Sequence, residues 1–106
     1  MYAVRTDADF PALERRIERA IRLEQPITFT YRETVKDPDN PKRRIQDEFE
    51  ITVRTVEPYA VEQSAKGNWF IRSLDRQSGE FRSWRFDRIL TYTPHRGIRV
   101  VTLTEV

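Results

Sequence analysis

Arginine and aromatic side chains alternate along the segment from Gly67 to Ile89, and this spacing organises the chemistry of the sequence. Arg82 lies two residues before Trp84, and Arg72 lies two residues after Phe70, so each arginine shares a strand face with an aromatic ring. A guanidinium group binds phosphate through paired hydrogen bonds and stacks on rings, which an ammonium group does not. The alternative is that the arginines extend over the sheet rim while the aromatic residues fill the core.

Arginine dominates the basic residues of the chain. Of the 19 lysines and arginines, only Lys36, Lys42 and Lys66 are lysines, and the net charge is +2. Between Gly67 and Arg99, seven arginines stand against three acidic residues, which gives this part a local excess of positive charge. Such an excess favours an anionic partner such as nucleic acid, although the same pattern is also typical of a solvated surface.

Catalytic chemistry is poorly supported by the residue types. The chain has no cysteine, which excludes disulfides, zinc–thiolate sites and a thiol nucleophile. His95 is the only histidine and falls in a predicted turn, and the three glycines form no phosphate-binding loop. Asp87 lies between Arg85 and Arg88, as expected of an ion pair rather than a catalytic acid. We therefore predict a protein that is not an enzyme and has no cofactor and no metal.

The length of 106 residues predicts a single domain that spans residues 1–106 and buries a core without disulfides. No apolar run approaches the roughly 18 residues of a membrane span. The first residues lack the apolar segment of a signal peptide. We expect a soluble, cytoplasmic protein with no membrane partner.

One helix is predicted near the N-terminus, over about residues 10–24. Asp9 is placed as its N-cap, Pro11 lies in the first turn, and Gln25-Pro26 ends it. An apolar stripe recurs at helical spacing, at Leu13, Ile17, Ala20 and Ile21. The stripe predicts packing on the sheet rather than DNA reading, because a helix-turn-helix needs two helices.

Alternating residues predict about six strands after the helix. These are 27–32, 49–57 continuing to 62, the two arms of the hairpin between 69 and 86, 89–93 and 98–106. The charged segment 33–48, with two prolines, predicts a long exposed loop, and its Lys42-Arg43-Arg44 triplet is either solvated or in contact with phosphate. Short connections and bends at Pro and Gly favour a small closed β-barrel over a sandwich.

Four motifs in order resemble the WYL domain, a small Sm-like or SH3-like β-barrel of bacterial regulators. The Trp-Tyr-Leu triplet that names the family corresponds to Trp69-Phe70-Ile71, and its final Asp-Arg-Ile run corresponds to Asp87-Arg88-Ile89. Upstream, an aliphatic–polar–Tyr strand and an Arg-x-aliphatic-x-Pro element correspond to residues 27–31 and 54–58. The resemblance covers roughly residues 15–93 and implies a mainly β fold with one N-terminal helix.

The resemblance also implies a binding site of basic residues, because family members are thought to sense nucleic-acid-like ligands on this barrel. The implied arginines are Arg54, Arg72, Arg82 and Arg88, together with Arg85. Arg85 is three positions from Arg82, so alternation along a strand places the two side chains on opposite faces. Tyr31, Trp69 and Phe70 are candidate stacking platforms. Trp84 is a candidate platform by residue type, but the strand spacing of Trp84 and Phe86 predicts that both are core residues. Phe70 stands where the family has Tyr, so a hydroxyl that could bind a ligand is missing there.

Two functions follow as expectations. The first is a ligand-sensing domain of transcriptional or phage-defence regulation that binds single-stranded nucleic acid or a nucleotide-like anion. Because no helix-turn-helix is found before the barrel in this sequence, we expect either an excised domain or a domain that works through a separate DNA-binding or defence protein. The second is a protein-interaction or oligomerisation module, with a homodimer formed through the edge strand Ile98–Val106. Salt distinguishes the two functions, because nucleic-acid binding weakens steeply as salt rises.

Overall fold

The computed structural model describes residues 1–95, apart from the side chains of Pro41, Gln46 and Asp47, and contains one α-helix and six strands within that range. The helix α1 is Phe10–Arg22. The strands are β1 (Tyr2–Ala3), β2 (Ile27–Asp37), β3 (Asn40–Gln63), β4 (Trp69–Asp75), β5 (Phe81–Arg85) and β6 (Ile89–Pro94). The predicted strand 98–106 lies outside the described residues.

All six strands form one antiparallel sheet in the order β1-β6-β2-β3-β4-β5. This confirms a mainly β fold with an N-terminal helix. The prediction of a closed barrel is wrong at the level of backbone hydrogen bonds. Within residues 1–95, the edge strands β1 and β5 do not pair with each other, and β1 has only two residues with which to close the sheet.

Helix α1 begins where predicted, although Asp9 does not cap it. The Asp9 carboxylate accepts hydrogen bonds from the backbone N–H groups of Arg5 (2.9 Å) and Thr6 (3.2 Å), and so closes the short 3-10 turn before the helix. The helix ends at Arg22, two residues earlier than predicted. Glu24 then adopts a left-handed backbone conformation (φ 54°), which turns the chain into β2.

The charged segment 33–48 was predicted to be a loop, and this is wrong. β2 continues to Asp37 and β3 begins at Asn40, so only Pro38 and Asp39 form the turn of a long hairpin. The Asp37 carboxylate accepts a hydrogen bond from the Asp39 N–H (2.9 Å), which fixes that turn. Register shifts absorb the unequal lengths of the two arms. Charged residues are tolerated because this hairpin extends into solvent.

The second predicted strand, 49–57 continuing to 62, runs without a break through Pro58 as part of β3. A bulge at Tyr59, between Pro58 and Ala60, lets β3 continue to pair with β4 as far as Gln63. The missing N–H of proline is therefore accommodated at a bulge, which is one of the few strand positions that tolerate it.

The core lies between α1 and one face of the sheet, which we call the inner face. Leu13, Ile17 and Ala20 of the helix stripe are buried there, as predicted. The sheet contributes Ile27, Phe29, Tyr31, Val56, Ile71, Trp84, Ile89 and Tyr92, and the 3-10 turn after β5 (Phe86–Arg88) adds Phe86. Trp84 is at the centre, with its ring centroid 5.2 Å from that of Phe29 and 5.0 Å from that of Tyr31. The interpretation of Trp84 and Phe86 as core residues is confirmed.

Candidate anion-binding site

Two arginines from different strands converge over Trp84 on the inner face of the sheet. Arg54 of β3 lies opposite Phe29 of β2, and Arg82 of β5 lies opposite Ser73 of β4. The side chains of Arg54 and Arg82 are 20% and 30% exposed. Strand alternation thus directs both guanidinium groups to the same side of the sheet as the core, but at its solvent-accessible end.

Glu33 holds the two guanidinium groups together. Its Oε2 accepts a hydrogen bond from Arg54 Nη2 (2.7 Å), and its Oε1 accepts one from Arg82 Nη2 (2.9 Å). The Thr52 hydroxyl donates a third hydrogen bond to Oε2 (3.1 Å). Burial by itself raises the pKa of Glu33, but these hydrogen bonds and the positive charge of Arg54 outweigh it and lower the pKa to about 2. Glu33 is therefore ionised at neutral pH.

Asp75 gives the cluster a second negative charge. Its Oδ2 lies 3.6 Å from Arg54 Nη1 and 3.8 Å from Arg82 Nη1, and its side chain is fully buried. The Ser78 hydroxyl (3.1 Å) and the Gln77 N–H (3.1 Å) donate hydrogen bonds to the same carboxylate. Two arginines and two carboxylates form a balanced network, as buried charges require.

The Trp84 ring forms the floor under both arginines. The guanidinium carbon of Arg82 lies 4.1 Å from the centroid of the ring, and that of Arg54 lies 5.6 Å away. The indole N–H donates a hydrogen bond to the Ser73 hydroxyl (2.8 Å), which fixes the orientation of the ring. Cation–π attraction and the ion pairs therefore hold the guanidinium planes in place without a ligand.

A cleft of about 660 Å³ opens above this network. Four basic and three acidic side chains line it together with Val35: Lys36, Arg44, Arg54 and Arg82, and Glu33, Glu50 and Glu80. Arg44 belongs to the predicted triplet, and its Nη1 donates a hydrogen bond to the Thr34 carbonyl (2.6 Å). Arg54 Nε is buried and has no hydrogen-bond partner among the described residues.

Only two of the eight predicted site residues lie in this cleft. Phe70, Arg72 and Arg85 point to the opposite, outer face of the sheet, since they alternate with Ile71 and Trp84. There Arg72 forms a 3.5 Å ion pair with Glu62, and Arg85 forms a 2.7 Å ion pair with Asp87. The hydrogen bond from Arg85 to Asp87 raises the pKa of Arg85.

The other three predicted residues lie deeper or elsewhere. Tyr31 is buried, and its hydroxyl accepts a hydrogen bond from the Arg85 N–H (3.1 Å), while burial raises its pKa. Trp69 is half-buried and stacks on Phe86 (6.2 Å) in a second cleft, next to the start of α1. Arg88 is half-buried. The structure therefore does not bring the eight residues into one surface.

Sequence reasoning missed Glu33 and Asp75, although the sequence carried a signal for one of them. Glu33 continues the odd-numbered alternation of Ile27, Phe29 and Tyr31, which directs it inward. Assigning it to a loop concealed that signal. Asp75 is the last residue of β4, and nothing local in the sequence shows that it is fully buried.

No metal cluster and no membrane span occur in the described part of the chain. Within residues 1–95, no group of three or more His, Asp or Glu side chains is placed to hold a metal ion. No helix in this range is both long enough and apolar enough to cross a membrane.

The family of the chain is decided by a match over most of its length. Residues 12–94 match the WYL domain family. The chain belongs to the WYL domain family. WYL domains are ligand-sensing regulatory domains of bacterial regulators and are generally non-catalytic. Comparison with curated proteins found no match. The resemblance carried by the Trp69-Phe70-Ile71 and Asp87-Arg88-Ile89 motifs is confirmed.

Proposed function

We propose that this WYL domain senses single-stranded nucleic acid or a nucleotide-like anion in the cleft above Arg54 and Arg82. The observation that carries the proposal is the convergence of these two guanidinium groups on the Trp84 ring, at the base of an open cleft of about 660 Å³. That volume falls in the range of small-ligand sites.

Arg54 and Arg82 keep N–H groups that could donate hydrogen bonds to an anion, despite their ion pairs with Glu33 and Asp75. A guanidinium group has five N–H donors, and each arginine gives one short hydrogen bond to Glu33 and one longer contact to Asp75. A phosphate would engage the remaining N–H groups and gain further attraction from Lys36 and Arg44 at the rim. Glu33, Glu50 and Glu80 weaken the binding of a bare anion, so a ligand with additional contacts is favoured.

A base would stack on an arginine plane rather than on tryptophan. Trp84 is fully buried, so it does not offer a free face to a ligand. Arg82 covers it at 4.1 Å, and the outer side of its guanidinium plane faces the cleft. Guanidinium planes stack on unpaired bases in single-stranded RNA recognition. This combination of donors and a stacking plane suits a nucleotide better than inorganic phosphate.

The regulatory context rests on family membership. Because WYL domains are sensory parts of bacterial regulators, ligand binding here would control transcription or phage defence through a DNA-binding or defence partner. The rival function, a homodimer formed through Ile98–Val106, falls outside the described residues and stays a prediction.

Fluorescence anisotropy with labelled single-stranded RNA, single-stranded DNA and duplex DNA, at two salt concentrations, tests the proposal. The test variant is Arg82→Gln and the matched control is Arg72→Gln, which removes the same charge from the neighbouring strand but on the opposite face. Both variants must melt cooperatively before binding is compared. We expect tight binding to a single strand that Arg82→Gln weakens by roughly tenfold or more, whereas Arg72→Gln leaves it within about twofold.

The salt dependence measures how many phosphate groups the protein neutralises. The logarithm of affinity should fall with the logarithm of salt by about 0.7 per phosphate neutralised on a single strand. Nucleoside monophosphate and diphosphate added as competitors decide whether the cleft takes a free nucleotide. Absence of binding at low salt to all three labelled nucleic acids and to both nucleotides, or equal losses in the two variants, would contradict the proposal.

A further inference from the structure

An apolar row lies exposed on the outer face of β3, away from the anion cleft. Phe49, Ile51 and Val53 are 45%, 58% and 60% exposed. On the paired strand β2 they lie opposite Thr34, Arg32 and Thr30, respectively. Three consecutive large apolar side chains on one strand face exceed the scattered exposure of ordinary surfaces and mark an interaction site.

Among residues 1–95, the same stretch has an open backbone edge. The loop after β4 covers only its end: Arg76 N–H bonds the Thr55 carbonyl (3.1 Å), and Gln77 bonds the Thr55 N–H (3.2 Å) and the Val53 carbonyl (3.1 Å). Backbone groups of alternate residues point to the same edge, so those of Ile51 and Phe49 also point away from β2. Within residues 1–95, no strand pairs with that edge.

We propose that a second copy of this chain pairs here, antiparallel, with a two-fold axis at Ile51. Such an isologous ladder sets Ile51 against the second copy's Ile51 and Phe49 against the second copy's Val53. The two apolar rows then form one continuous six-residue stripe. On the inner side, Glu50 meets the second copy's Thr52, which does not oppose like charges.

Neighbouring registers are disfavoured by charge or by occupied backbone groups. An axis at Glu50 places this residue against the second copy's Glu50, and like charges directly opposite each other destabilise a sheet. An axis at Thr52 sets Phe49 opposite Thr55, whose N–H and C=O already bond the loop after β4. The axis at Ile51 confines the ladder to residues 49–53, which leaves the bonds of Thr55 intact, and requires that the hydrogen bond from Gln77 to the Val53 carbonyl be given up in each copy.

Single-cysteine variants test both the dimer and its register, because the chain has no cysteine of its own. In the proposed dimer, Ile51→Cys lies opposite itself at a Cα separation of about 5.5 Å, within the range of a disulfide. Val53→Cys lies four residues from its own copy, about 13 Å away. All these side chains are exposed, so the substitutions preserve the fold. We expect Ile51→Cys to form covalent dimers at least tenfold faster than Val53→Cys under mild oxidation.

Two further arms complete the test. Phe49→Cys mixed with Val53→Cys should form the mixed dimer preferentially over either self-pair. Sedimentation should show a concentration-dependent dimer of the natural chain that Ile51→Lys converts to monomer without loss of cooperative melting. A monomer at all concentrations, a dimer that persists in Ile51→Lys, or equal cross-linking of Ile51→Cys and Val53→Cys would overturn the proposal. A monomer would also result if another segment of the chain occupied this edge.

Discussion

The two faces of the sheet carry arginines of similar sequence context in different environments. On the inner face, Arg54 and Arg82 lie over Trp84 and share two buried carboxylates. On the outer face, Arg72 and Arg85 each pair with one exposed carboxylate. Burial, rather than residue type, therefore decides which ion pairs matter for stability, because water screens the outer pairs and not the inner ones.

Replacing Trp84, which lies under the inner network, should have the largest effect on stability. Trp84→Ala removes the largest fully buried side chain and the surface on which both arginines rest. We expect the free energy of unfolding to fall by about 3–5 kcal/mol. Phe81→Ala, on the exposed outer side of the same strand, is the control and should change it far less. Urea denaturation of both variants measures the difference, and similar losses would contradict the contrast between the faces.

Removing one arginine from the inner network should have the next largest effect on stability. Arg54→Ala leaves Glu33 without its shortest ion pair and weakens the compensation of the buried Asp75. Removing one partner of a buried pair typically costs about 3–5 kcal/mol, and we expect the lower end because Arg54 is partly exposed. Thermal and urea unfolding should show the loss, whereas Arg72→Ala on the outer face should leave the midpoint unchanged. Equal effects would mean that the network is not a stabilising unit.

Acid should destabilise the inner network by protonating Glu33. The pKa of Glu33 is about 2 in the folded chain against 4.5 ordinarily, so its contribution is complete above about pH 4.5 and is lost as the pH falls towards 2. A shift of this size corresponds to about 3 kcal/mol. Urea unfolding between pH 6 and pH 2 should show this loss, and Glu33→Gln should flatten the profile. An unchanged profile in Glu33→Gln would assign the acid sensitivity to other carboxylates.

The outer ion pairs should have the smallest effect. Asp87→Asn removes the partner of Arg85, and both side chains are nearly half exposed. We expect a change of about 0.5 kcal/mol or less, reduced further in high salt. Urea unfolding at two salt concentrations checks this. A loss comparable to that of Arg54→Ala would show that the outer face is more strongly coupled than its exposure indicates.

Periodicity predicted much of the fold and part of the site. The stripe Leu13, Ile17 and Ala20 and the hairpin around Gly79 appear where predicted, since burial of alternating residues depends on local spacing. The segment 33–48 was wrongly predicted to be a loop because its prolines and charged residues are typical of loops, and the prediction did not consider backbone pairing between its two arms. Its strands are stabilised by ladder hydrogen bonds, which depend little on side-chain polarity.

The eight predicted site residues show the same division. Alternation along the strand correctly set Arg85 apart from Arg82, because a strand turns successive side chains to opposite faces. Arg72 was grouped with Arg82, although it lies on the outer face of the neighbouring strand. Parity does not show which strands are neighbours, so it could not show that Arg54 and Arg82, 28 positions apart in sequence, share Glu33. Nor could it show that Trp84, a candidate platform by type, is covered by those arginines.

By itself the sequence determined the family, the N-terminal helix, the alternation of the strands and the arginine-rich chemistry, because these depend on residue type and short-range spacing. Only the tertiary structure decided which charges meet, that Glu33 and Asp75 balance Arg54 and Arg82, and that the row at Ile51 is exposed. These features depend on strand order and register, which bring distant residues together and determine which of them exclude water.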